Sequence, residues 1–267
     1  MLRVEHLGKT YGEGDDAVEA IGDVDIEVAE KEFVCIVGPS GCGKTTLLKC
    51  MGGLLPPSSG QVHLRDQRIE GPPERMALVF QEYSRSLFPW LTVRQNVAFP
   101  LRRKKLDKSK AKELVENAVK SVDLTRFLDR YPWELSGGMQ QRVAIARALA
   151  YEPDIMLMDE PFASVDAQTR ADLEDLVLEI SREYGVTVVF VTHDIDEAVY
   201  LSDRIVVLTP SPTTVQEVLE VELPQPRDQV ETKEQQEFAQ LRAHVWRSIK
   251  RKQEEKKPEA AAAGAAG

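Results

Sequence analysis

The sequence predicts an α/β fold: a parallel sheet with helices on both faces, interrupted by an inserted helical subdomain. Three observations predict it. Short continuous apolar runs, at Phe33–Val37, Met76–Phe80, Ile155–Met158, Val186–Val191 and Ile205–Leu208, have the length and β-branching of strands buried on both faces. Helical patterns separate these runs, as the crossovers of a parallel sheet require. Between the second and third runs, residues 82–150 carry helical patterns at Lys108–Val122 and Met139–Ala150 and no strong strand.

Taken in order, Phe33–Val37 enters a Gly-rich turn and then a helical segment, Thr45–Met51. The strands at 76–80 and 155–158 bracket the helical insertion, and those at 186–191 and 205–208 complete the core. Past Thr209, Pro210, Pro212, Pro224 and Pro226 punctuate a β-prone segment, Val215–Leu223. Phe238, Leu241, Val245 and Ile249 then fall at helical spacing, an apolar stripe expected to dock on the body. The end, Glu254–Gly267, is charged and then Ala/Gly-only, which reads as disordered. The expected division is therefore 1–81 with 151–209 as a discontinuous core, 82–150 as the helical subdomain, 210–253 as a C-terminal β/helix extension and 254–267 as a tail.

Length and composition narrow the function classes. A chain of 267 residues with 42% hydrophobic and 29% charged residues can bury a core. Its net charge of -10 argues against a nucleic-acid binder driven by bulk positive charge. The charge is uneven: residues 101–112 hold seven basic side chains against Asp107, and residues 152–203 hold fourteen acids against Arg170 and Arg182. The basic run reads either as a solvated face or as a contact for anionic head groups or a partner loop. No stretch approaches the ~18 apolar residues of a membrane span, and the first residues lack the apolar block of a signal peptide. Cys35, Cys42 and Cys50 show neither CxxC spacing nor a nearby His, so a disulfide framework or zinc site is disfavoured and a reducing compartment expected.

The chemistry begins at Gly38-Pro39-Ser40-Gly41-Cys42-Gly43-Lys44-Thr45, which fits G-x-x-x-x-G-K-[ST] between a strand and a helix. Its glycines let backbone N–H groups turn inward around phosphate oxygens, and the helix N-terminus adds a favourable dipole. Lys44 supplies a point charge for the β- and γ-phosphates, and Thr45 a hydroxyl for Mg²⁺. The four fixed positions arise by chance in roughly 1% of chains this long. Ile155-Met156-Leu157-Met158-Asp159-Glu160 supplies the second half. Asp159 at the strand end is placed beside Mg²⁺, and Glu160 near the water that attacks the γ-phosphate. A hydrolysable nucleoside triphosphate is the expected ligand. Ser136-Gly137-Gly138 opens a further helix: either an ordinary Gly-rich cap or a second anion site, closing over another chain's nucleotide in a head-to-tail dimer.

These motifs, with Leu135-Ser136-Gly137-Gly138-Met139-Gln140-Gln141 and His193, occur in the order seen in ABC transporter ATPase subunits, which the chain resembles over residues 2–209. It is most similar to the nitrate/sulfonate/taurine importer group. That likeness rests on Phe80-Gln81-Glu82-Tyr83, Leu87-Phe88-Pro89-Trp90-Leu91-Thr92-Val93, Thr192-His193-Asp194-Ile195-Asp196-Glu197-Ala198 and Glu222-Leu223-Pro224-Gln225-Pro226-Arg227-Asp228. The resemblance implies a P-loop NTPase core with an N-terminal antiparallel β part. It implies that Tyr11 stacks on adenine and that Gln81 touches Mg²⁺ and the attacking water. Glu160 is then the general base, His193 contacts the γ-phosphate, and Asp166 crosses a dimer interface. Residues 38–46, through Thr46, with Ser136, Gly137, Gly138 and Gln140, contact nucleotide.

The implied partners are a second ATPase subunit, permease subunits docking around Gln81–Arg102 near Phe88-Pro89-Trp90, and indirectly a solute-binding protein. The implied location is the cytoplasmic face of the plasma membrane, peripherally held. Two departures stand out: Val165 where Leu is common, and Lys31 at a turn where Gly is usual, which is expected to be strained. An exporter ATPase and a soluble ABC ATPase are the alternatives; the latter usually carries tandem cassettes or long coiled-coil insertions, neither of which appears. Nothing in the chain names the solute, which the permease and binding protein recognise.

Overall fold

The computed structural model describes residues 1–81 and 86–263. Glu82 and Tyr83 of the Phe80–Tyr83 motif, and residues 264–267 of the tail, lie outside the described residues. The chain forms two compact units, Met1–Pro73 with Val189 onward, and Glu74–Val188. The expected boundaries at 81/82 and 150/151 fall inside the second.

The first unit is built on strands β1 (Leu2–Tyr11), β2 (Val18–Val28), β3 (Phe33–Val37), β4 (Ser59–Leu64) and β5 (Gln67–Arg68), with β8 (Thr187–Val191) from Val189 on, β9 (Arg204–Leu208) and β10 (Thr213–Glu220). The order is β5-β4-β1-β2-β10-β9-β3-β8. β1 pairs antiparallel with β2 and β4, while β3 pairs parallel with β9, Val34 opposite Arg204. All five residues of β3 and of β8 are buried, as two-sided apolar strands should be. Phe33 and Phe190 meet across them with ring centroids 6.0 Å apart. Helix α1 (Lys44–Met51) follows β3, and α6 (Ile195–Leu201) follows β8 and packs on β3.

Two expectations for the C-terminal part need correction. The segment expected at Val215–Leu223 is β10, which sits between β2 and β9, antiparallel to β9, and so belongs to the sheet rather than to an appendage. The last helix, α7 (Gln236–Ala263), runs into the segment 254–267 expected to be disordered: its Glu, Lys and Ala residues favour helix, against the single breaker Pro258. Its Phe238 and Val245 are buried where it packs on α6 and β9, as the apolar stripe requires. Lys31 has φ +62°, so the turn before β3 carries the strain a non-glycine residue was expected to bring.

The second unit holds the parallel pair β6 (Met76–Val79) and β7 (Ile155–Asp159), with α2 (Val93–Ala98), α3 (Lys108–Ser121), α4 (Gly137–Ala150) and α5 (Ala167–Tyr184). α4 packs on α2 and α3. Sequence explains each start. Thr92 and Gln95 form a reciprocal capping box for α2, and the Asp107 carboxylate accepts from Lys110 N–H at 2.8 Å to open α3. Leu114, Val115, Ala118 and Val119 give α3 one buried face. α5 stops at Gly185, φ +62°, whose N–H returns to the Ser181 carbonyl.

Candidate functional site

In the first unit, β3 delivers the chain to Gly38, where a Cβ would lie 3.0 Å from Cβ of Leu208 and 3.1 Å from Sγ of Cys42. Gly43 caps α1 with φ +103°, a conformation closed to L side chains, and no side chain caps the helix start. The first N–H groups of α1 are thus left for an anion. Lys44 is only 5% exposed, and its Nζ donates to the Gly38 and Pro39 carbonyls at 3.0 Å each, which holds the ammonium inside the loop. The buried Thr213 hydroxyl donates to the Cys42 carbonyl and ties the loop to β10.

Thr45 and Thr46 lie in the first turn of α1, and Thr46 Oγ1 is 3.2 Å from the Tyr11 hydroxyl. The Tyr11 ring is exposed, with Lys9 Nζ 5.5 Å from its centroid. His193 is exposed after β8, on a loop fixed from both sides. Thr192 Oγ1 donates to Glu197 Oε2 at 2.6 Å and accepts from Asp194 N–H at 2.9 Å.

In the second unit, β7 is buried throughout and ends at Asp159, 5% exposed. Glu160 follows with φ +42°, a strained backbone for a non-glycine residue and one typical of functional positions. Gln81 Nε2 donates to Glu160 Oε2 at 3.3 Å, so two residues 79 positions apart share one hydrogen bond. Ser136 is exposed and caps α4, its Oγ accepting from Met139 N–H at 3.3 Å. Gln140 spends its amide on the Pro132 and Leu135 carbonyls, at 3.0 and 3.2 Å, which staples the approach to Ser136. Asp166 caps α5; the backbone N–H and then the hydroxyl of Thr169 hold its carboxyl below the usual carboxylate range.

Residues 21–163 match the family described as ABC transporter. The chain belongs to the ABC transporter ATPase family. An uncharacterized ABC transporter ATP-binding protein, MJ0412 of Methanocaldococcus jannaschii, is 46% identical over 249 residues, 93% of this chain and 91% of that protein. The nitrate import ATP-binding protein NrtC of Synechococcus elongatus is 43% identical over 246 residues, 90% of this chain and 37% of that longer protein. The dimeric, post-hydrolysis structure of the ATP-binding cassette MJ0796 with ADP and Pi aligns at TM-score 0.71 and 34% identity, covering 83% of this chain and 99% of that one. The fold is that of an ABC ATPase cassette, and the activity is ATP hydrolysis.

The residue types at these motifs suit a phosphate-bearing ligand and a hard cation. A Cβ at Gly38 would press on Leu208 and Cys42, so glycine there lets the loop at 38–45 lie close against β9. Within the second unit, Gln81 and Asp159 carry amide and carboxylate oxygens, and within the first Thr45 carries a hydroxyl, donor types that suit a hard cation. Among the described residues, sequence reasoning missed three that hold the motifs in place. Thr213 lies 171 positions from Cys42 and gives no local signal. Asn96, fully buried, accepts from Phe88 N–H at 2.9 Å and donates to the Phe88, Leu91 and Thr92 carbonyls, fixing the loop that presents Trp90, 68% exposed. A lone Asn in a short apolar helix was the available signal. Thr169 is the third.

Proposed function

We propose that this ABC ATPase energises an importer for a small anionic solute, working as a head-to-tail pair with a second copy and held peripherally at the cytoplasmic face by permease subunits. The Gln81–Glu160 hydrogen bond carries the reading of the chemistry, because it brings an amide and a carboxylate together one residue beyond the buried Asp159. Bound Mg²⁺, with Thr45, Gln81 and Asp159 as its protein ligands, would neutralise charge on the β- and γ-phosphate oxygens.

The chain's own residues do the rest. Lys44 and the N–H groups of residues 38–46 bind the triphosphate, and Tyr11 stacks on the adenine. Gln81 orients the attacking water, and Glu160 takes its proton as the oxygen adds to the γ-phosphorus. The His193 imidazole contacts the γ-phosphate. Ser136, Gly137, Gly138, Gln140 and Asp166 of one copy serve the nucleotide held by the other. This pairing is supported by the dimeric state of the MJ0796 cassette and by the exposure of Ser136 and Asp166.

The importer reading is supported by the nitrate import relative, and the docking region by the aromatic cluster within Gln81–Arg102. The Phe88 ring packs tilted against Phe99 and Trp90, with centroids 4.4 and 5.6 Å apart, and Arg102 lies over Phe99 at 5.1 Å. A solute-binding protein would act through the permease. Among the described residues no helix is long and apolar enough to cross a membrane, so membrane association falls to such partners.

Glu160→Gln tests the reading. It keeps size and hydrogen bonding but removes the base, so hydrolysis should fall by about 10²–10⁴-fold while ATP still binds. The closed pair also loses its exit by hydrolysis, and size-exclusion chromatography should show a dimer with ATP but not with ADP. Hydrolysis at the wild-type rate would move the base elsewhere, and a monomer at saturating ATP would undermine the paired arrangement.

A further inference from the structure

We propose that Thr169 is a positioning residue that locks the Ser136–Gly138 helix start and the Asp166 cap into one rigid edge. The inference rests on the paired arrangement proposed above, in which both elements reach the other copy's nucleotide.

Thr169 gives the Asp166 carboxylate two hydrogen bonds, the largest influences on it, beside a smaller one from the backbone N–H of Gln168. The Thr169 backbone N–H reaches Oδ1 at 3.0 Å and its hydroxyl reaches Oδ2 at 2.7 Å. The second bond fixes the rotation of the Thr169 side chain, and with it the direction of the methyl group. That methyl occupies the space where Gly138 would carry a side chain. A Cβ on Gly138 would lie 2.3 Å from Cγ2 of Thr169, and the next nearest atoms, at 3.6 and 3.8 Å, are Thr169 Cβ and Oγ1. Gly138 is helical, inside the first turn of α4, and is not among the glycines with positive φ. Glycine is therefore required here by close approach rather than by backbone conformation. Because the hydroxyl bond pins the rotamer, the methyl cannot swing aside without releasing Asp166. One side chain thus transmits any shift of α4's first turn to the Asp166 carboxylate, and the reverse.

The geometry makes a suppressor test available. Gly138→Ala should push the pinned methyl, displace both elements and lower kcat for MgATP about tenfold or more, with KM within about twofold because the phosphate loop is untouched. Thr169→Ser keeps the hydroxyl bond and deletes the methyl, and should hydrolyse ATP within about threefold of wild type. Combining Gly138→Ala with Thr169→Ser should restore most of the lost kcat, since the clash is gone while Asp166 remains held. Thr169→Val keeps the shape and loses the bond, and should lower kcat without restoring Gly138→Ala.

The measurements use the full chain, with MgATP turnover alongside urea denaturation of the four proteins of the Gly138/Thr169 cycle. Restoration of both stability and kcat in the double variant supports the inference. A double variant no better than Gly138→Ala in either readout overturns it, as would Thr169→Val turning over like wild type. A wild-type chain that fails to hydrolyse MgATP would instead overturn the functional reading, and the denaturation cycle would still decide the contact.

Discussion

Replacing Lys44 with Ala removes the one cation held inside the phosphate loop, and the structure sets the size of the loss. Two donors of Nζ are already bonded to the Gly38 and Pro39 carbonyls at 3.0 Å, so nucleotide binding newly satisfies the remaining one and supplies a counter-charge. One charge-assisted hydrogen bond contributes about 1.5–3 kcal/mol, which corresponds to ATP affinity lower by about 10- to 150-fold. Hydrolysis should fall further, because the same charge stabilises the γ-phosphoryl group as it transfers. The fold should survive. The Cys42–Thr213 tie and the glycine conformations of the loop do not involve Lys44, and the two carbonyls that lose a donor become open to water. Titration of a fluorescent ATP analogue, phosphate release and circular dichroism on the same preparation separate these effects. A well-folded variant that hydrolyses ATP at the wild-type rate would refute the assignment of Lys44 to the triphosphate.

Two further outcomes are expected. Ser136→Arg should leave ATP binding by the single chain nearly intact, because the phosphate loop is unchanged, yet block hydrolysis by wedging a bulky cation into the closing pair; normal turnover would place Ser136 outside the composite site. Burial pushes the Cys42 thiol up and that of Cys50 to about 11, against an ordinary value of 9.0. A thiol whose folded pKa is raised stabilises the fold fully below the unfolded value, and that contribution is lost as pH rises through the folded value. Stability in urea should therefore decline between about pH 9 and 11, and at pH 8 a thiol reagent should label the buried cysteines only after denaturation. Rapid labelling of the native chain would contradict their burial.

The sequence by itself determined the core strands and the order of the motifs along the chain. Phe33–Val37 is a strand to the residue, because five apolar side chains with turn signals at both ends leave no other periodicity to satisfy. The loop at 38–45 was equally legible, since Gly43 at φ +103° and a Lys at the helix start are local requirements written in adjacent residues. Ser136 announces a helix start for the same reason: a cap acts on the N–H two or three residues on.

What only the tertiary structure decided lies between residues far apart in the chain. That β10 inserts between β2 and β9 follows from edge pairing of backbone groups, which carries no side-chain signature and left 210–253 looking like an extension. The Gln81–Glu160 bond, the Thr213 tie to Cys42 and the Thr169 methyl against Gly138 span 79, 171 and 31 positions. Each depends on where two helices or strands come to rest. Packing sets that, through the summed shapes of buried side chains, and no spacing within a motif encodes it.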